Sequence, residues 1–370
     1  MTNVSAVKQV TVIAGARPNF MKVAPIIHEA RKWPDLKIQL VHTGQHYDSR
    51  MSAQFFKDLD LPEPDLHLEV GSASHAVQTA RVMTAFDKTL DEHPTDIVLV
   101  VGDVNSTIAC ALVATKRGVK VAHVEAGLRS RDRGMPEEIN RILTDQISDY
   151  LFTTERDAAA NLRAEGISDD KIFFVGNVMI DTLLKHRVFA RERATVLTTL
   201  GITAREYAVC TLHRPSNVDS AESAARTLDA VSQLARRLKV VLPLHPRSTK
   251  QFEHFGLLEP LRAAAMVIEP LGYLDFLALL DRARLVLTDS GGIQEETTVL
   301  GVPCLTFREN TERPITVTNG TNRVVGLDPE RVARAVDEIM SSAAPPHRVP
   351  ELWDGHAAER IIATLRQTDR

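Results

Sequence analysis

The 370-residue sequence contains only three cysteines, Cys110, Cys210 and Cys304, and each lies in an apolar run. Their spacing fits neither a disulfide framework nor a metal-binding pair, so we expect three buried, reduced thiols. The sequence also lacks an excess of basic residues, because 44 Lys and Arg stand against 48 Asp and Glu, a net charge of −4. This balance gives no reason to expect nucleic acid or an anionic membrane surface as a partner.

Long hydrophobic runs are absent as well. No segment approaches the ~20 apolar residues of a membrane-spanning helix. The apolar run at 10–16 is shorter than the hydrophobic region of a signal peptide and leads directly into Arg17. We therefore expect a cytoplasmic protein without a membrane partner. Neither G-x-G-x-x-G nor G-x-x-x-x-G-K-[ST] occurs, which leaves a dinucleotide fingerprint and a P-loop unsupported.

Continuous apolar segments alternate with helical patterns along almost the whole chain. Apolar strands separated by helices indicate parallel strands covered on both faces, that is, a doubly wound α/β domain. The pattern restarts after a charged helical stretch, and 370 residues exceed one ordinary core. We predict an N-terminal Rossmann-like domain at 1–185, a second at 186–355, and a last helix at 356–370 that packs back on the first domain.

Polar clusters follow seven of the predicted strands directly. In open α/β sheets, ligands bind outside the carboxyl ends of the strands. A single such cluster is more often an ordinary polar turn, but seven clusters rich in His, Arg, Asp and Glu favour a binding site in a shared cleft. The clusters span residues 15–19, 42–48, 102–107, 123–129, 211–217, 244–248 and 288–292.

The strongest local signal is the segment LVLTDSGGIQEE at 285–296. A strand leads into Ser290, Gly291 and Gly292, where missing side chains let backbone N–H groups approach a phosphate at a helix N-terminus. Glu296 lies about one turn further along, within reach of a ribose. By itself, such a turn is about as often purely structural.

Charged residues at strand ends and helix starts complete the candidates. A carboxylate directly after an apolar strand is costly unless it is paired or functional, whereas acidic residues at a helix start are favourable for the helix dipole alone. The cationic candidates are Arg17, Lys22, His213, Arg214 and Arg313. The acidic candidates are the strand-end residues Asp103 and Glu125 and the helix-start residues Glu137 and Glu138, which Arg129, Arg131 or Arg141 could pair.

With these residues in view, the chain resembles the non-hydrolysing UDP-N-acetylglucosamine 2-epimerases nearly from end to end. The resemblance rests on GARPNFMK (15–22), GDVNST (102–107), HVEAGLRS (123–130), MPEEINR (135–141), LHRPSN (212–217), TDSGGIQEE (288–296) and RENTERP (308–314). It implies the GT-B architecture, two Rossmann-like domains facing a central cleft. It also implies a homodimer, a UDP-sugar substrate, and neither metal nor cofactor.

The resemblance further implies roles for individual positions. Phe276 would lie against uracil, the Ser290–Gly292 turn would hold phosphate, and Glu296 would hold the ribose. Residues that fall on the family's UDP-sugar contacts are Arg17, Lys22, Asp103, Glu125, His213, Phe276, Ser290, Gly291, Gly292, Glu296 and Arg313. Residues that fall on its catalytic set are Asp103, Glu125, Glu137 and His213.

Four activities remain open at this point. The first is interconversion of UDP-N-acetylglucosamine and UDP-N-acetylmannosamine by elimination and re-addition of UDP, which would supply precursors of cell-surface polysaccharides. The second is the same reaction on a modified sugar such as UDP-2,3-diacetamido-glucuronate, because relatives with that activity have similar HR-x-x-N segments. The third is a hydrolysing 2-epimerase. The fourth is a GT-B glycosyltransferase, which would leave the carboxylates without an obvious use.

Overall fold

The computed structural model describes residues 7–44, 56, 58–341 and 348–367. Residues 45–48 of the second polar cluster lie outside this part. The chain forms two compact units, an N-terminal unit of Met1–Leu184 with Glu351–Arg370 and a C-terminal unit of Lys185–Pro350. The first division falls within one residue of the predicted boundary at 185. The chain returns to the N-terminal unit at Glu351 rather than at 356.

The N-terminal unit is built on a seven-stranded parallel sheet in the order β3-β2-β1-β4-β5-β6-β7. The central strand β4, with sequence IVLVV, is buried at every position, as expected for a strand covered on both faces. The strands are β1 (Lys8–Ala14), β2 (Leu36–His42), β3 (Leu66–His67), β4 (Ile97–Val101), β5 (Lys120–Ala126), β6 (Tyr150–Thr153) and β7 (Ile172–Phe174).

The C-terminal unit repeats this plan with six parallel strands in the order β10-β9-β8-β11-β12-β13. In both sheets the order reverses beside the first strand, between β1 and β4 and between β8 and β11, where doubly wound folds bind ligands. The α/β class with two doubly wound units is thereby confirmed. The strands are β8 (Tyr207–Thr211), β9 (Lys239–Pro243), β10 (Met266–Ile268), β11 (Leu285–Thr288), β12 (Cys304–Thr306) and β13 (Asn322–Val324).

Helices connect the strands and cover the sheets. The helix at Pro329–Ser341 shows why they form, because its buried residues recur at helical spacing as Val332, Ala335, Val336 and Ile339. The N-terminal unit and the junction contain α1 (Arg17–Ala30), α2 (His75–Glu92), α3 (Asn105–Lys116), α4 (Pro136–Ile147), α5 (Arg156–Ala164) and α6 (Val178–Arg193). The remainder of the chain contains α7 (Val196–Leu200), α8 (Pro215–Val218), α9 (Ala221–Ala235), α10 (Pro246–His254), α11 (Leu258–Ala264), α12 (Tyr273–Asp281), α13 (Gly291–Leu300), α14 (Pro314–Thr318), α15 (Pro329–Ser341) and α16 (Ala357–Gln367).

The C-terminal helix α16 belongs to the N-terminal unit. The Asp181 carboxylate accepts hydrogen bonds from the backbone N–H groups of Ala357 (3.1 Å) and Ala358 (2.7 Å), which satisfies donors in the first turn of this helix. Lys8 Nζ donates to the Leu365 carbonyl at 2.7 Å near its other end. The segment before α16 passes close to Gly176. Only glycine fits at this position, because its φ is +88° and a Cβ there would lie 2.0 Å from the Leu352 carbonyl oxygen.

Cys110, Cys210 and Cys304 are all buried and form no disulfide, as predicted. Burial raises the pKa of each thiol, so the three stay protonated. None of the described helices combines the length and apolar character that crossing a bilayer requires.

Candidate active site

Three neighbouring strands of the N-terminal sheet, β1, β4 and β5, end at the same edge. The polar clusters at 15–19, 102–107 and 123–129 follow or overlap these ends. Pairing in register of β4 with both neighbours brings their ends together. Side chains distant in the sequence are therefore side by side in the N-terminal unit.

Lys22 and Glu125 form a buried ion pair at this edge. Lys22 Nζ, from the second turn of α1, donates to Glu125 Oε2. The two residues are only 8% and 3% exposed, so the pair has little solvent screening. Removal of either partner would leave a charge buried without its counter-ion.

The backbone around this pair adopts left-handed conformations at Gly102 and Glu125. Glu125 has a φ of +72°, which is rare for a residue with a side chain, and it sits at a bulge where the pairing of β5 with β6 shifts register. Gly102 has a φ of +67°, and a Cβ there would lie 2.9 Å from Lys22 Nζ. Strain of this kind concentrates at functional sites.

Arg141 of α4 joins two carboxylates. Its guanidinium contacts Asp103 Oδ2 from Nε (3.0 Å) and Nη2 (2.9 Å), and its Nη1 donates to Glu138 Oε2. Glu138 is buried, and its carboxylate also accepts the backbone N–H groups of Ser130 (2.9 Å) and Arg131 (2.8 Å). Glu138 therefore anchors the loop before α4, a contribution beyond the helix dipole.

Glu137 precedes Glu138 in the first turn of α4 and differs from it in every contact. It is half-buried, and it makes no hydrogen bond or ion pair with any residue that the structure describes. Arg17 opens α1, but its side chain is outside the described part.

A buried histidine–aspartate pair behind Gly102 was not among the predicted residues. His123 Nδ1 lies 2.7 Å from Asp145 Oδ1, and His123 Nε2 lies 2.8 Å from the Gly102 carbonyl oxygen. Arg129, a predicted partner of the acidic candidates, instead pairs with Asp145 (2.7 Å) and with Glu165 (2.6 Å). The available signal was a histidine inside the apolar strand KVAHVEA, where a polar side chain needs a partner.

In the C-terminal unit, β8, β11 and β12 are neighbours, and Asp289 organises their carboxyl ends. Its Oδ2 accepts hydrogen bonds from the backbone N–H groups of His213 (2.9 Å) and Arg214 (2.8 Å) and from Asn217 Nδ2 (2.8 Å). Its Oδ1 lies 3.1 Å from His213 Nδ1. Asp289 thus ties the loop after β8 to the turn after β11.

Asp289 also tunes the titration of His213. Burial by itself would lower the pKa of His213, but the Asp289 carboxylate outweighs it and raises that pKa above 6.5. In return, although burial opposes it, His213 and the N–H donors lower the pKa of Asp289. The His213 side chain is 55% exposed, so solvent screens part of this coupling.

The Ser290–Gly292 turn starts helix α13. Ser290 is the N-cap residue, and its side chain makes no capping hydrogen bond, so the turn's N–H groups are not occupied by that hydroxyl. Glu312 approaches Gly291 so closely that a Cβ there would lie 2.7 Å from Glu312 Oε1. Glycine at position 291 therefore makes room for the Glu312 carboxylate. The sequence by itself suggests only that it makes room for a phosphate.

Two glutamates inside α13 lie in different electrostatic environments. Arg313 Nε lies 2.7 Å from Glu295 Oε1, an ion pair between side chains that are 7% and 1% exposed. Burial, and next the charge of Glu295, raise the pKa of Glu296 to about 8. Glu296 is therefore largely protonated at neutral pH in this structure. Phe276 lies half-buried in α12.

The structure thus brings Lys22 to Glu125 and Asp103 to Arg141 in the first unit, and His213 to Asp289 and Arg313 to Glu295 in the second. Within the described residues, no group of three or more His, Cys, Asp and Glu side chains is arranged as a metal site.

Comparison with known proteins identifies the family. A family model described as UDP-N-acetylglucosamine 2-epimerase matches residues 28–366. The chain belongs to the UDP-N-acetylglucosamine 2-epimerase family. Membership confirms the resemblance at the level of the UDP-N-acetylglucosamine 2-epimerase family and makes the chain an enzyme of the isomerase class.

Relatives in this family match over nearly the full length. UDP-N-acetylglucosamine 2-epimerase of Methanococcus maripaludis is 42% identical over 360 residues, 96% of this chain and 97% of the relative. UDP-2,3-diacetamido-2,3-dideoxy-D-glucuronate 2-epimerase of Pseudomonas aeruginosa is 42% identical over 339 residues, 90% of this chain and 91% of the relative. The crystal structure of Methanocaldococcus jannaschii UDP-GlcNAc 2-epimerase in complex with UDP-GlcNAc and UDP has a TM-score of 0.91 at 40% identity, covering 97% of this chain and 100% of that one.

Proposed function

We propose that this epimerase interconverts UDP-N-acetylglucosamine and UDP-N-acetylmannosamine without hydrolysis, and that it supplies precursors of cell-surface polysaccharides. The observation that carries the proposal is full-length similarity to UDP-N-acetylglucosamine 2-epimerases, 42% identity over 96% of the chain. The buried Lys22–Glu125 pair and the N-terminus of α13, which the Ser290 side chain does not cap, supply chemical groups that such a reaction needs.

The chemistry of the sugar dictates the order of steps. The C2 hydrogen has no neighbouring carbonyl, so a base cannot remove it directly at neutral pH. When the bond between C1 and the diphosphate oxygen breaks, positive charge develops at C1 and acidifies the C2 hydrogen. Loss of that proton gives 2-acetamidoglucal and UDP. Return of a proton to the other face of C2 and of UDP to C1 gives the epimer.

In this proposal, the C-terminal unit holds the UDP portion. Phe276 lies against uracil, Glu296 binds the ribose, and the Ser290–Gly292 turn with His213 and Arg313 stabilises the departing diphosphate. Backbone donors and fixed cations stabilise developing negative charge effectively because they need no reorganisation during the reaction. Arg17 and Lys22 are further UDP-sugar contacts.

The N-terminal unit supplies the carboxylates that move protons. Asp103, Glu125 and Glu137 are the candidates for the base in one direction and the acid in the other, and His213 of the C-terminal unit completes the catalytic set. Lys22 holds Glu125, and Arg141 holds Asp103, so both carboxylates are oriented before the sugar arrives. Glu137 has no such partner among the described residues.

NMR of the purified protein with UDP-N-acetylglucosamine in D2O tests the proposal. We expect deuterium at C2 of the UDP-N-acetylmannosamine product, because the proton at C2 is exchanged during the reaction. The Glu125→Gln variant is the matched control, since it should bind UDP but incorporate no deuterium. Unlabelled product would refute the elimination mechanism. Release of free N-acetylmannosamine with UDP would instead identify a hydrolysing enzyme.

A modified UDP-sugar is the second candidate substrate. The Pseudomonas aeruginosa relative named for UDP-2,3-diacetamido-2,3-dideoxy-D-glucuronate is also 42% identical to this chain. Sequence identity therefore does not separate the two substrates. Comparing kcat/KM for both sugars in the same preparation decides between them, because a specific enzyme should favour its own substrate by at least ~100-fold.

We further propose that the protein is a cytoplasmic homodimer. Ile139 and Leu143, one helical turn apart on α4, are 41% and 49% exposed despite being apolar. Exposed apolar side chains that adjoin one another are typical of subunit interfaces. Light scattering coupled to size-exclusion chromatography should give twice the mass of 40.9 kDa. A monomeric mass at micromolar concentration would refute the dimer.

A further inference from the structure

Three carboxylates around the N-terminus of α13 each have a close cationic partner. These pairs are Asp289 with His213 (3.1 Å), Glu295 with Arg313 (2.7 Å) and Glu312 with Arg308 (2.7 Å). A fourth cation, Arg214, lies in the same cluster. Arg214 Nη2 lies 3.5 Å from the Glu312 carboxylate, a group that Arg308 contacts more closely. The positive charge of Arg214 is therefore not matched by a carboxylate of its own.

The Arg214 guanidinium is held directly beside the turn. Its Nε donates to the Asp289 carbonyl oxygen at 2.9 Å, which belongs to the residue before Ser290. On the other side it faces Glu312, whose carboxylate occupies the space that a Cβ at Gly291 would need. The Arg214 side chain remains 27% exposed, whereas Glu312 is 6% exposed. Arg214 thus has an anchored, partly open guanidinium next to backbone donors that Ser290 does not cap.

The charge of Glu312 is maintained by its surroundings. Although burial would raise it, the neighbouring charges of Arg308, Arg313 and Arg214 hold the pKa of Glu312 well below its usual range. The Glu312 carboxylate therefore stays charged at neutral pH and serves as an anchor for the arginines.

We propose that Arg214 is a direct ligand of the UDP diphosphate, and that Glu312, fixed by Arg308, is a positioning residue that holds the Arg214 guanidinium beside the Ser290–Gly292 turn. This inference rests on the proposed function, because it adds residues to the UDP subsite. A planar guanidinium matches two phosphoryl oxygens at once, and an adjacent helix N-terminus supplies N–H donors to the same anion.

Calorimetric binding of UDP and of uridine to the Arg214→Gln variant tests the direct contact. We expect the Kd for UDP to rise at least about tenfold and the Kd for uridine to stay within about twofold, since only UDP carries the diphosphate. Arg262→Gln is the matched control, because Arg262 pairs with Glu259 on the surface of α11 and should change neither constant. Because Arg214 is partly exposed, this variant is expected to fold.

A double-mutant cycle tests the positioning role. If Glu312 acts through Arg214, then Glu312→Gln should change the UDP Kd much less in the Arg214→Gln background than in the parent chain. A purely structural role would give the same factor in both backgrounds, and this result would overturn the role of Glu312.

The outcomes separate this inference from the proposed function. Unchanged UDP affinity in Arg214→Gln, or equal losses for UDP and uridine, would overturn the diphosphate contact while leaving the epimerase proposal intact. Failure of the parent chain to bind UDP, together with absence of deuterium incorporation, would refute the proposed function itself.

Discussion

The Glu296→Gln variant should become more stable relative to the parent chain as the pH rises. Burial and the charge of Glu295 raise the pKa of Glu296 from its ordinary value of 4.5 to about 8. Between these values the folded protein holds a proton that the unfolded chain releases. Stability must therefore fall as the pH rises through this window, because the folded state binds more protons than the unfolded state. Glutamine cannot ionise, so the stability of the variant does not fall with pH for this reason.

The magnitude follows from the width of the window. At 1.36 kcal/mol per pH unit, ionising Glu296 above pH 8 costs the folded state at most about 5 kcal/mol. Between pH 5.5 and pH 7.5 the free energy of unfolding should fall by about 2–3 kcal/mol through this one group. That corresponds to a melting temperature lower by several degrees. Such a penalty at a proposed ribose contact would be an instance of stability given up for function.

Urea titrations at pH 5.5, 6.5 and 7.5 measure the effect for the parent chain and for Glu296→Gln. The difference in unfolding free energy between the two proteins should grow in favour of the variant by about 2–3 kcal/mol over this range. Glu222→Gln, at a side chain that is 88% exposed, serves as the control and should show no such trend. A constant difference across the three pH values would show that Glu296 is not protonated in the folded protein, and the reasoning would fail.

Three further predictions concern the proposed site. Gly102→Ala places a methyl group at φ +67°, 2.9 Å from Lys22 Nζ; it should cost about 1–2 kcal/mol of stability and at least tenfold in turnover. Normal turnover by this variant would show that the Lys22–Glu125 geometry is not critical. Glu137→Gln should leave the melting temperature unchanged but reduce the rate of epimerisation measured by NMR; a normal rate would remove Glu137 from the catalytic set. Arg313→Ala should lower stability by about 3–5 kcal/mol, since it leaves Glu295 buried without this partner, and should weaken UDP binding at least tenfold by calorimetry. Unchanged UDP affinity would exclude the proposed phosphate contact.

The course of the main strands could be predicted from the sequence because buried parallel strands are continuous apolar runs. β4 and β11 show this pattern, and both are buried at every position. Two of the four edge strands, β3 and β13, were not predicted. β3 has only two residues, and β13 has the sequence NRV, so neither forms an apolar run that a period could reveal.

The candidate residues could be located for the same reason. A polar cluster that follows an apolar strand must lie at the carboxyl end of the sheet, whatever the details of packing. This rule predicts Asp103, Glu125, His213 and the Ser290 turn at strand ends from the sequence alone. Their individual roles came from the family resemblance, which full-length identity of 42% confirms at the level of the family.

Pairing and conformation were decided by the tertiary structure alone. Lys22 meets Glu125 across 103 positions of the chain, and Gly291 leaves room for Glu312 rather than only for a ligand. The positive φ of Glu125 and the raised pKa of Glu296 have no local signature either. Hydrophobic periodicity is a property of neighbouring residues and is written in the sequence. Ion pairing, desolvation and backbone strain depend on which distant groups the fold brings together, so they exist only in the folded chain.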